Sequence, residues 1–344
     1  MKSNNTALIT GITGQDGAYL AKLLIDRGYK VYGTYRKAST TNYWRLNYLN
    51  IYEHKQLELV PIELVDPMSV YNVINGIRPN EIYNLAAQSF VGISFEQPFT
   101  TTSINSLGTL NILEAIKLVD KSIKFYQAST SEMFGKVTEV PQSELTPFHP
   151  RSPYGVSKLY SHWITKNYRE SYDMFCSCGI LFNHESPLRG MEFVTRKITH
   201  SIAQIALGII DEFSLGNIYA KRDWGYAADY VEGMWKILNH DKPDDFILST
   251  GKTYNVKEFL TYAFNEAGIE IKFEGNGLEE VGYNNQTSKQ ILTINEKFYR
   301  PAEVDLLIGN PEKAKSELGW EAKTNMYDLC KLMVKADFKR NKNI

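Results

Sequence analysis

The sequence is poor in cysteine, and it contains no long apolar run. Its 344 residues include 3 cysteines, Cys176, Cys178 and Cys330, a sparse and odd set that argues against a disulfide framework and for a reducing compartment. Two of them lie in the apolar segment 174–182, so we interpret them as core thiols and predict no metal site. No stretch is long and apolar enough to span a bilayer. The first apolar segment, residues 7–9, runs into a glycine-rich turn, so we predict no signal peptide and a cytoplasmic location.

Neither sign of charge is in excess. The 38 lysines and arginines face 39 aspartates and glutamates, which gives a formal net charge of -1. Such a chain has no overall field that attracts nucleic acid or an anionic membrane, and we predict neither partner. Hydrophobic residues make up 43% and charged residues 22%, which is typical of a globular protein with one large domain or two unequal ones.

Short apolar runs alternate with helical patterns in the first half of the chain. Strand candidates are Thr6–Thr10, Lys30–Tyr35, Leu57–Pro61, Glu81–Leu85, Lys124–Ser129 and Phe175–Phe182. Helical patterns cover Gly17–Arg27, Ser69–Ile77, Asn105–Leu118 and Pro153–Tyr172. This alternation predicts an α/β fold of the Rossmann type, in which helices cover both faces of a doubly wound parallel sheet.

The alternation of strand and helix patterns becomes irregular after Phe182, where we predict a smaller, interwoven C-terminal α/β domain. Helical patterns lie at Arg196–Leu207, Tyr226–Asn239 and Val256–Asn265, and a last helix is predicted after Asn310-Pro311. The polar segment Gly275–Lys297 is interpreted as a mobile loop. We assign residues 1–182 to the first domain, to which a segment of about 217–250 returns, and residues 183–344 mainly to the second.

A glycine-rich turn follows the first predicted strand. Gly11, Gly14 and Gly17 are spaced as G-x-x-G-x-x-G, and a helix comes next. Glycine lets the backbone turn tightly and approach a pyrophosphate, whose charge is favoured at a helix N-terminus. At the first strand–helix junction of an alternating chain, this spacing predicts a dinucleotide site, and a merely tight turn is the alternative.

The end of the second strand favours NADP over NAD. An acidic residue at this point binds the ribose 2′-hydroxyl of NAD, but the first carboxylate here is Glu53. Arg36 and Lys37 end the strand instead, with Arg45 a little further on. Adjacent cations suit a 2′-phosphate, and the alternative is a solvated basic loop.

The fifth strand and the next helix carry a second set of polar residues. Tyr154 and Lys158 are four residues apart and share one helix face. A phenol has a pKa of roughly 10, and a nearby ammonium lowers it, so Tyr154 can accept a proton from a hydroxyl while hydride leaves the same carbon for a nicotinamide. An exposed helical pair is the alternative reading.

Glu132 follows the fifth strand beside Thr130, whose hydroxyl can bond an oxygen of the same reacting carbon. Removal of water from a sugar requires more than hydride transfer, since a proton must leave C5 and another must reach the C6 hydroxyl. One carboxyl over both carbons can serve as base and then as acid. A surface glutamate at a helix start is the alternative.

The sequence closely resembles the GDP-mannose 4,6-dehydratase family of extended short-chain dehydrogenases over nearly the whole chain. The matching strings are residues 11–17, 126–132, 151–154, 183–187, 193–197, 222–225 and 299–304. The resemblance implies catalytic roles for Thr130, Glu132, Tyr154 and Lys158. It also implies NADP, tightly bound and recycled in each turnover, in the first domain and a GDP-sugar in the second.

The resemblance and the turn together give two sets of binding residues. The cofactor set is Gly11, Thr13, Gly14, Gln15, Asp16, Gly17, Arg36, Arg45, Glu63, Leu64, Asn84, Leu85, Ala86, Ala87, Gln88, Ser89, Lys158, His184 and Arg189. The substrate set is Ser89, Asn183, Lys197, Gly216, Arg222, Arg300 and Glu303. Cations in the second set suit a diphosphate.

The expected reaction converts GDP-mannose to its 4-keto-6-deoxy derivative and water. GDP-manno-heptose stays open as the substrate, because one extra carbon unit is discriminated by only about 1–3 kcal/mol in an apolar pocket. A sugar-nucleotide 4-epimerase or 4-reductase and a non-catalytic NADP sensor are further alternatives. The resemblance also implies a homodimer or homotetramer, and the aromatic and basic segment Arg36–Leu49 is a candidate interface, with packing on its own domain as the alternative.

Overall fold

Strands and helices alternate in the first half of the structure, as the sequence predicts. The computed structural model describes residues 5–40, 42–299 and 306–342. Its strands are β1 (Thr6–Thr10), β2 (Lys30–Tyr35), β3 (Leu57–Pro61), β4 (Glu81–Asn84), β5 (Lys124–Thr130), β6 (Cys176–Leu181), β7 (Asn183–Glu185), β8 (Phe213–Leu215), β9 (Lys221–Arg222), β10 (Trp224–Tyr226), β11 (Asp245–Leu248), β12 (Tyr254–Asn255), β13 (Ile271–Glu274), β14 (Val281–Asn284), β15 (Gln290–Ile294) and β16 (Leu306–Leu307).

The helices fill the connections between these strands. They are α1 (Gln15–Asp26), α2 (Trp44–Tyr48), α3 (Pro67–Ile77), α4 (Val91–Glu96), α5 (Pro98–Thr102), α6 (Gly108–Val119), α7 (Pro153–Tyr172), α8 (Val194–Ala206), α9 (Ala227–Leu238), α10 (Val256–Glu266), α11 (Glu312–Leu318) and α12 (Met326–Asn341). A π-helical turn at Ser103–Leu107 joins α5 to α6.

The central sheet has seven strands in the order β3-β2-β1-β4-β5-β6-β11, and all its pairings are parallel. Every residue of β4 and of β6 is buried, because α1 and α9 cover one face and α3 and α6 the other. The order of the strands reverses between β1 and β4. In such sheets ligands bind outside the carboxyl ends of the strands at this switch point.

The second half contributes a smaller sheet and its own core. Strands β13, β14, β15 and β8 form a four-stranded sheet in that order. Apolar side chains of α8, α10 and α12 pack together with those of β8 and β15. Strand β11 also comes from this half of the sequence, yet it pairs with β6 at the edge of the central sheet.

Two expectations for the second half are wrong. The predicted mobile loop Gly275–Lys297 contains β14 and β15, which pair antiparallel, because Ile291, Leu292 and Ile294 are buried in the core while the hairpin tip stays polar. The helix predicted after Asn310-Pro311 is α11, with the Asn310 side chain accepting from Glu312 N at 3.1 Å, but it is not the last. Helix α12 follows it.

A helix that spans a bilayer must be both long enough and apolar enough over its whole length. None in the described part of the chain meets both conditions.

Candidate active site

The glycines of the first turn are required by close backbone contacts. Gly11 has φ +72°, and a Cβ atom there would lie 2.9 Å from Ala86 Cα at the end of β4. A Cβ on Gly17 would lie 2.4 Å from the carbonyl oxygen of Gly11. Both distances are shorter than real Cβ contacts, so the turn that connects β1 to α1 has this shape only with glycine.

The N-terminus of α1 opens at this turn without a side-chain cap. Gly14 is the N-cap residue, and the helical bonds begin where Ala18 N donates to Gly14 O at 3.2 Å. The N–H groups of the three residues between them precede that first bond. A helix start of this kind, with aligned donors and the positive end of the helix dipole, is suited to an anion.

Thr10, the last residue of β1, fixes the neighbouring end of β4. Its hydroxyl accepts from Leu85 N and Ala86 N, both at 3.0 Å, and donates to Asn84 Oδ1 at 2.8 Å. The Asn84 amide in turn donates to Gln127 Oε1 at 2.8 Å. The Asn84 side chain is therefore engaged inside the sheet, while residues 85–88 after β4 are half-buried.

The remaining residues of the cofactor set on the first domain differ in exposure. Arg36 at the end of β2, Glu63 after β3 and Ser89 are exposed, whereas Leu64 is buried against Gly108 of α6. Half-buried members near the turn are Thr13, Ala87 and Gln88. Gln88 N donates to Asn105 Oδ1 at 2.9 Å, and the Asn105 amide donates to Ser157 Oγ of α7 at 3.0 Å. Asn105 lies in the π-helical turn, and no signal in the sequence identified it.

The predicted catalytic residues come together where β5 meets α7. Ser152 caps α7, since its hydroxyl accepts from Gly155 N at 3.0 Å. A Cβ on Gly155 would lie 2.8 Å from the carbonyl oxygen of Glu132, so glycine lets the start of α7 approach the residues after β5. This approach brings Tyr154 next to Thr130 and Glu132, and all three are buried.

The phenol of Tyr154 is surrounded by groups that act on its pKa in opposite directions. The pKa is raised to about 12, chiefly by burial and also by the Glu132 charge, while the hydrogen bond with Thr130 and the charge of Arg189 act in the lowering direction. The net shift is opposite to the one expected from the Tyr154–Lys158 pair alone. Desolvation disfavours the phenolate by more than the nearby cations favour it.

Lys158 lies one turn further along α7. Burial lowers the pKa of its ammonium to about 8, because a charged group is poorly solvated there. Among the described residues, its ammonium has no hydrogen-bond or ion-pair partner, and its side chain is buried. A buried ammonium at this place can stabilise an anion that develops on a neighbouring group or ligand.

His184 of β7 is held between the nucleotide turn and α9. Its Nδ1 lies 2.7 Å from Phe182 O and its Nε2 lies 2.8 Å from Asp16 Oδ2, while its ring stacks on Tyr230 at 4.6 Å. Burial disfavours the imidazolium, but Asp16 outweighs burial and raises the pKa of His184. The pKa of Asp16 is lowered, since His184 outweighs the opposing effect of burial on that carboxyl. Each ring nitrogen therefore faces an acceptor oxygen, that of Phe182 on one side and that of Asp16 on the other.

The predicted substrate residues lie on several elements of the second half. Asn183 begins β7 and is half-buried, and Arg222 in β9 is buried, with its Nη1 donating to Lys221 O at 2.8 Å. Lys197 of α8 lies 3.5 Å from the centre of the Phe298 ring, and a Cβ on Gly216 would lie 2.5 Å from Phe298 O. Phe298, which the sequence analysis missed, thus joins two of these residues.

The other members of the substrate and cofactor sets are placed less directly. Arg189 forms an ion pair with Glu185 at 3.0 Å, and its guanidinium lies 3.6 Å from the centre of the Phe193 ring. Arg300 and Glu303 lie outside the described residues. The described residues contain no group of three or more histidine, cysteine, aspartate or glutamate side chains that could hold a metal ion.

Comparison with known proteins identifies the family to which this arrangement belongs. A sequence model of the family GDP-mannose 4,6 dehydratase matches residues 8–333. The chain belongs to the GDP-mannose 4,6 dehydratase family. GDP-mannose 4,6 dehydratase 2 of Caenorhabditis elegans, a relative in this family, is 51% identical over 344 residues, which cover 98% of this chain and 90% of that protein.

Solved structures show that the family fold is shared more widely. RMD from Pseudomonas aeruginosa, complexed with NADPH, has a TM-score of 0.76 at 21% identity, and the match covers 98% of this chain and 100% of that chain. The dTDP-glucose 4,6-dehydratase of Bacillus anthracis, in complex with NAD, has a TM-score of 0.80 at 20% identity, with 98% of each chain covered. The predicted Rossmann-type sheet is confirmed.

Proposed function

We propose that this protein is a GDP-mannose 4,6-dehydratase, a hydro-lyase that uses tightly bound NADP. The observation that carries the proposal is the burial of Thr130, Glu132 and Tyr154 in one site, on a chain that belongs to the GDP-mannose 4,6 dehydratase family. The reaction removes water from the hexose and leaves a GDP-4-keto-6-deoxy sugar.

The residues around the first turn fit a dinucleotide. The uncapped start of α1 supplies backbone donors for a pyrophosphate, and Gly11 and Gly17 keep the turn free of side chains. Arg36 is exposed at the end of β2, where the 2′-substituent of the ribose lies in this fold. A cation at that position favours the 2′-phosphate and therefore NADP.

The first step is oxidation of the sugar at C4. A bound nicotinamide would supply the hydride chemistry, as acceptor for C4 and donor for C6. Tyr154 takes the proton of the C4 hydroxyl, and Thr130 hydrogen-bonds the same oxygen. Burial makes the phenolate form of Tyr154 unfavourable. In this proposal an ammonium one turn along α7, that of Lys158, would favour the phenolate when the site is occupied.

Elimination of water is the work of Glu132. The C4 ketone acidifies the C5 hydrogen, which Glu132 removes as a base. The same carboxyl then gives its proton to the C6 hydroxyl, which leaves as water. After hydride has reached C6, the proton held by Tyr154 is available to return to C5, so that atoms and charge balance with no net oxidation.

Residues of the second domain hold the GDP moiety in this proposal. Lys197 and Arg222 are the described cations of the substrate set, and both suit a diphosphate. The pKa of Lys197 is lowered by burial, and a bound diphosphate would reverse that effect. The similarity to proteins that act on GDP-mannose favours this sugar over GDP-manno-heptose, and it favours dehydration over 4-epimerisation or 4-reduction.

The test is the substitution Glu132→Gln, which removes the acid and base but keeps the shape of the side chain. We expect kcat for formation of the 4-keto-6-deoxy product to fall about 100-fold or more, as for the loss of a general acid or base. Oxidation at C4 should persist, and a rise in absorbance at 340 nm on mixing with GDP-mannose would record it.

Glu139→Gln is the matched control, since Glu139 is an exposed carboxylate in the same loop and should leave kcat unchanged. Full dehydratase activity in the Glu132→Gln protein would remove the proposed role of this residue. Absence of any 4-keto product from the unaltered protein with GDP-mannose, at the same time as product from GDP-manno-heptose, would reassign the substrate.

A further inference from the structure

The nucleotide turn and the segment that follows β6 are joined by a set of polar side chains, which we call the polar seam: Gln15, Asp16, Arg45, His184 and Ser186. Gln15 Nε2 donates to His184 O at 3.0 Å, and the Ser186 hydroxyl donates to Gln15 Oε1 at 2.7 Å. The ion pair of His184 with Asp16 runs alongside these bonds. The first turn is therefore held by residues from the second half of the sequence.

Arg45 closes the polar seam from the other side. Its Nε donates to Leu188 O at 2.7 Å and its Nη1 donates to Thr13 O at 2.9 Å. One guanidinium thus links two backbone carbonyls, one in the nucleotide turn and one beyond β7. Burial lowers the pKa of Arg45 to about 10, which leaves it cationic at neutral pH. Arg36, the other arginine that the sequence predicts for the 2′-phosphate, is exposed and has no part in these contacts.

We propose that the polar seam positions the nucleotide turn and that Arg45 is a positioning residue rather than a ligand of the 2′-phosphate. The side chains of the seam bond to one another and to backbone carbonyls, so they fix the direction of the N–H groups at the start of α1. Those groups serve the pyrophosphate, which NADP and NAD share. The inference rests on the proposed function only in taking the cofactor to be a nicotinamide dinucleotide.

A ligand of the 2′-phosphate and a positioning residue affect the ratio of the NADP and NAD affinities differently. A residue that contacts the 2′-phosphate contributes to binding of NADP alone, whereas a residue that shapes the turn contributes equally to NADP and NAD. Dissociation constants of the full-length protein for both dinucleotides, measured by calorimetry without sugar after removal of retained cofactor, separate the roles. Arg45→Met should weaken both by about tenfold and change their ratio less than about twofold.

Arg36→Met is the matched comparison, because it removes a guanidinium at the end of β2. It should weaken NADP by about tenfold and leave NAD within about twofold. Ser186→Ala removes a different, uncharged link of the polar seam and should weaken both dinucleotides about fivefold, without the risk that loss of a half-buried arginine prevents folding. Circular dichroism of each variant checks that the fold is retained.

Selective loss of NADP affinity in Arg45→Met would overturn the proposal and return this residue to the 2′-phosphate. Unchanged constants in Arg45→Met or in Ser186→Ala would overturn it as well. None of these outcomes involves turnover of a sugar, so the failure of this proposal is distinct from a failure of the Glu132→Gln test.

Discussion

At the scale of single residues, the site contains a charge that folding does not favour. Lys158 is buried without an ion-pair partner among the described residues, and its pKa is lowered to about 8. The unfolded chain binds a proton at this lysine more tightly than the folded chain does. At neutral pH the ammonium therefore costs stability, which agrees with the catalytic role that we propose for Lys158.

Lys158→Met should stabilise the protein while it inactivates it. The shift from 10.5 to about 8 corresponds to a cost on the order of 3 kcal/mol at pH 7, which methionine of similar length does not carry. Chemical denaturation without added nucleotide should show an increase in the free energy of unfolding, and kcat should fall at least about 100-fold.

The pH dependence provides the internal control for this substitution. A lysine whose folded-state pKa is lowered binds fewer protons in the folded state between pH 8 and 10.5, so the stability of the unaltered protein rises across that interval. The methionine variant should lack this rise. A variant that is less stable than the unaltered protein at pH 7 would contradict the prediction.

Residues that a local backbone shape requires could be predicted from the sequence more readily than residues whose partners lie far away along the chain. Gly11, Gly14 and Gly17 carry a local signal, because a strand, a tight turn and a helix follow one another within a few positions. Gln15 and the carbonyl of His184 are 169 residues apart, so nothing local shows that the side chain of Gln15 is used within the protein. From the sequence, all residues of the turn, including Gln15, are therefore predicted to bind the cofactor.

At the scale of elements, the contact between α7 and the residues after β5 sets the position of Tyr154 relative to Glu132. Gly155 lets the first turn of α7 lie against the backbone of Glu132, and the Ser152 cap fixes where that helix begins. A larger residue at this contact has to move either α7, which carries Tyr154, or the segment that carries Glu132.

Gly155→Ala should lower kcat by about 100-fold, which is the cost of a displacement of about 1 Å between reacting groups. The new Cβ would meet Glu132 O at 2.8 Å and Pro150 Cβ at 3.0 Å, and both neighbours have limited freedom. Steady-state assays with GDP-mannose would measure the effect.

Gly76→Ala in α3 is the control for this change, because a Cβ there meets nothing within 4 Å. It should leave kcat unchanged and stabilise the protein by up to about 1 kcal/mol through helix propensity. Equal activities of the two variants would show that the close contact with Glu132 does not set the catalytic geometry.

The elements of the first half were predicted well because each lies in an alternating pattern of buried strands and amphipathic helices. The β14–β15 hairpin was missed because one of its faces is polar and its tip is rich in Asn and Gln, as in a loop. Helix α12 has buried residues at helical spacing, including Met326, Leu329, Cys330 and Met333, so a signal for it was present. The helix was missed because its sequence is polar on average.

At the scale of the whole molecule, one face of α7 exposes large apolar side chains to solvent. Val156, Tyr160 and Trp163 follow helical spacing and are 55%, 40% and 53% exposed. Such a stripe on one face indicates a protein interface. The homodimer or homotetramer stays a prediction, for which this stripe is a second candidate interface beside the segment Arg36–Leu49, whose Trp44 and Tyr48 rings contact Arg340 of the same chain.

Trp163→Glu should shift the protein toward a smaller assembly, because a buried carboxylate in an apolar interface is strongly unfavourable. Size-exclusion chromatography with light scattering would measure the molar mass. Ile209→Glu, at 51% exposure outside α7, is the control and should leave the mass unchanged. An unchanged mass in the Trp163→Glu protein would place any interface elsewhere.

The position of β11 has a consequence for synthesis on the ribosome. Strand β6 must wait for Asp245–Leu248 before its outer edge is paired, although the nucleotide turn and five neighbouring strands have already emerged. During that interval the nascent chain presents unpaired backbone groups on a strand that is fully buried in the folded protein, the kind of surface that chaperones recognise and that aggregates in their absence.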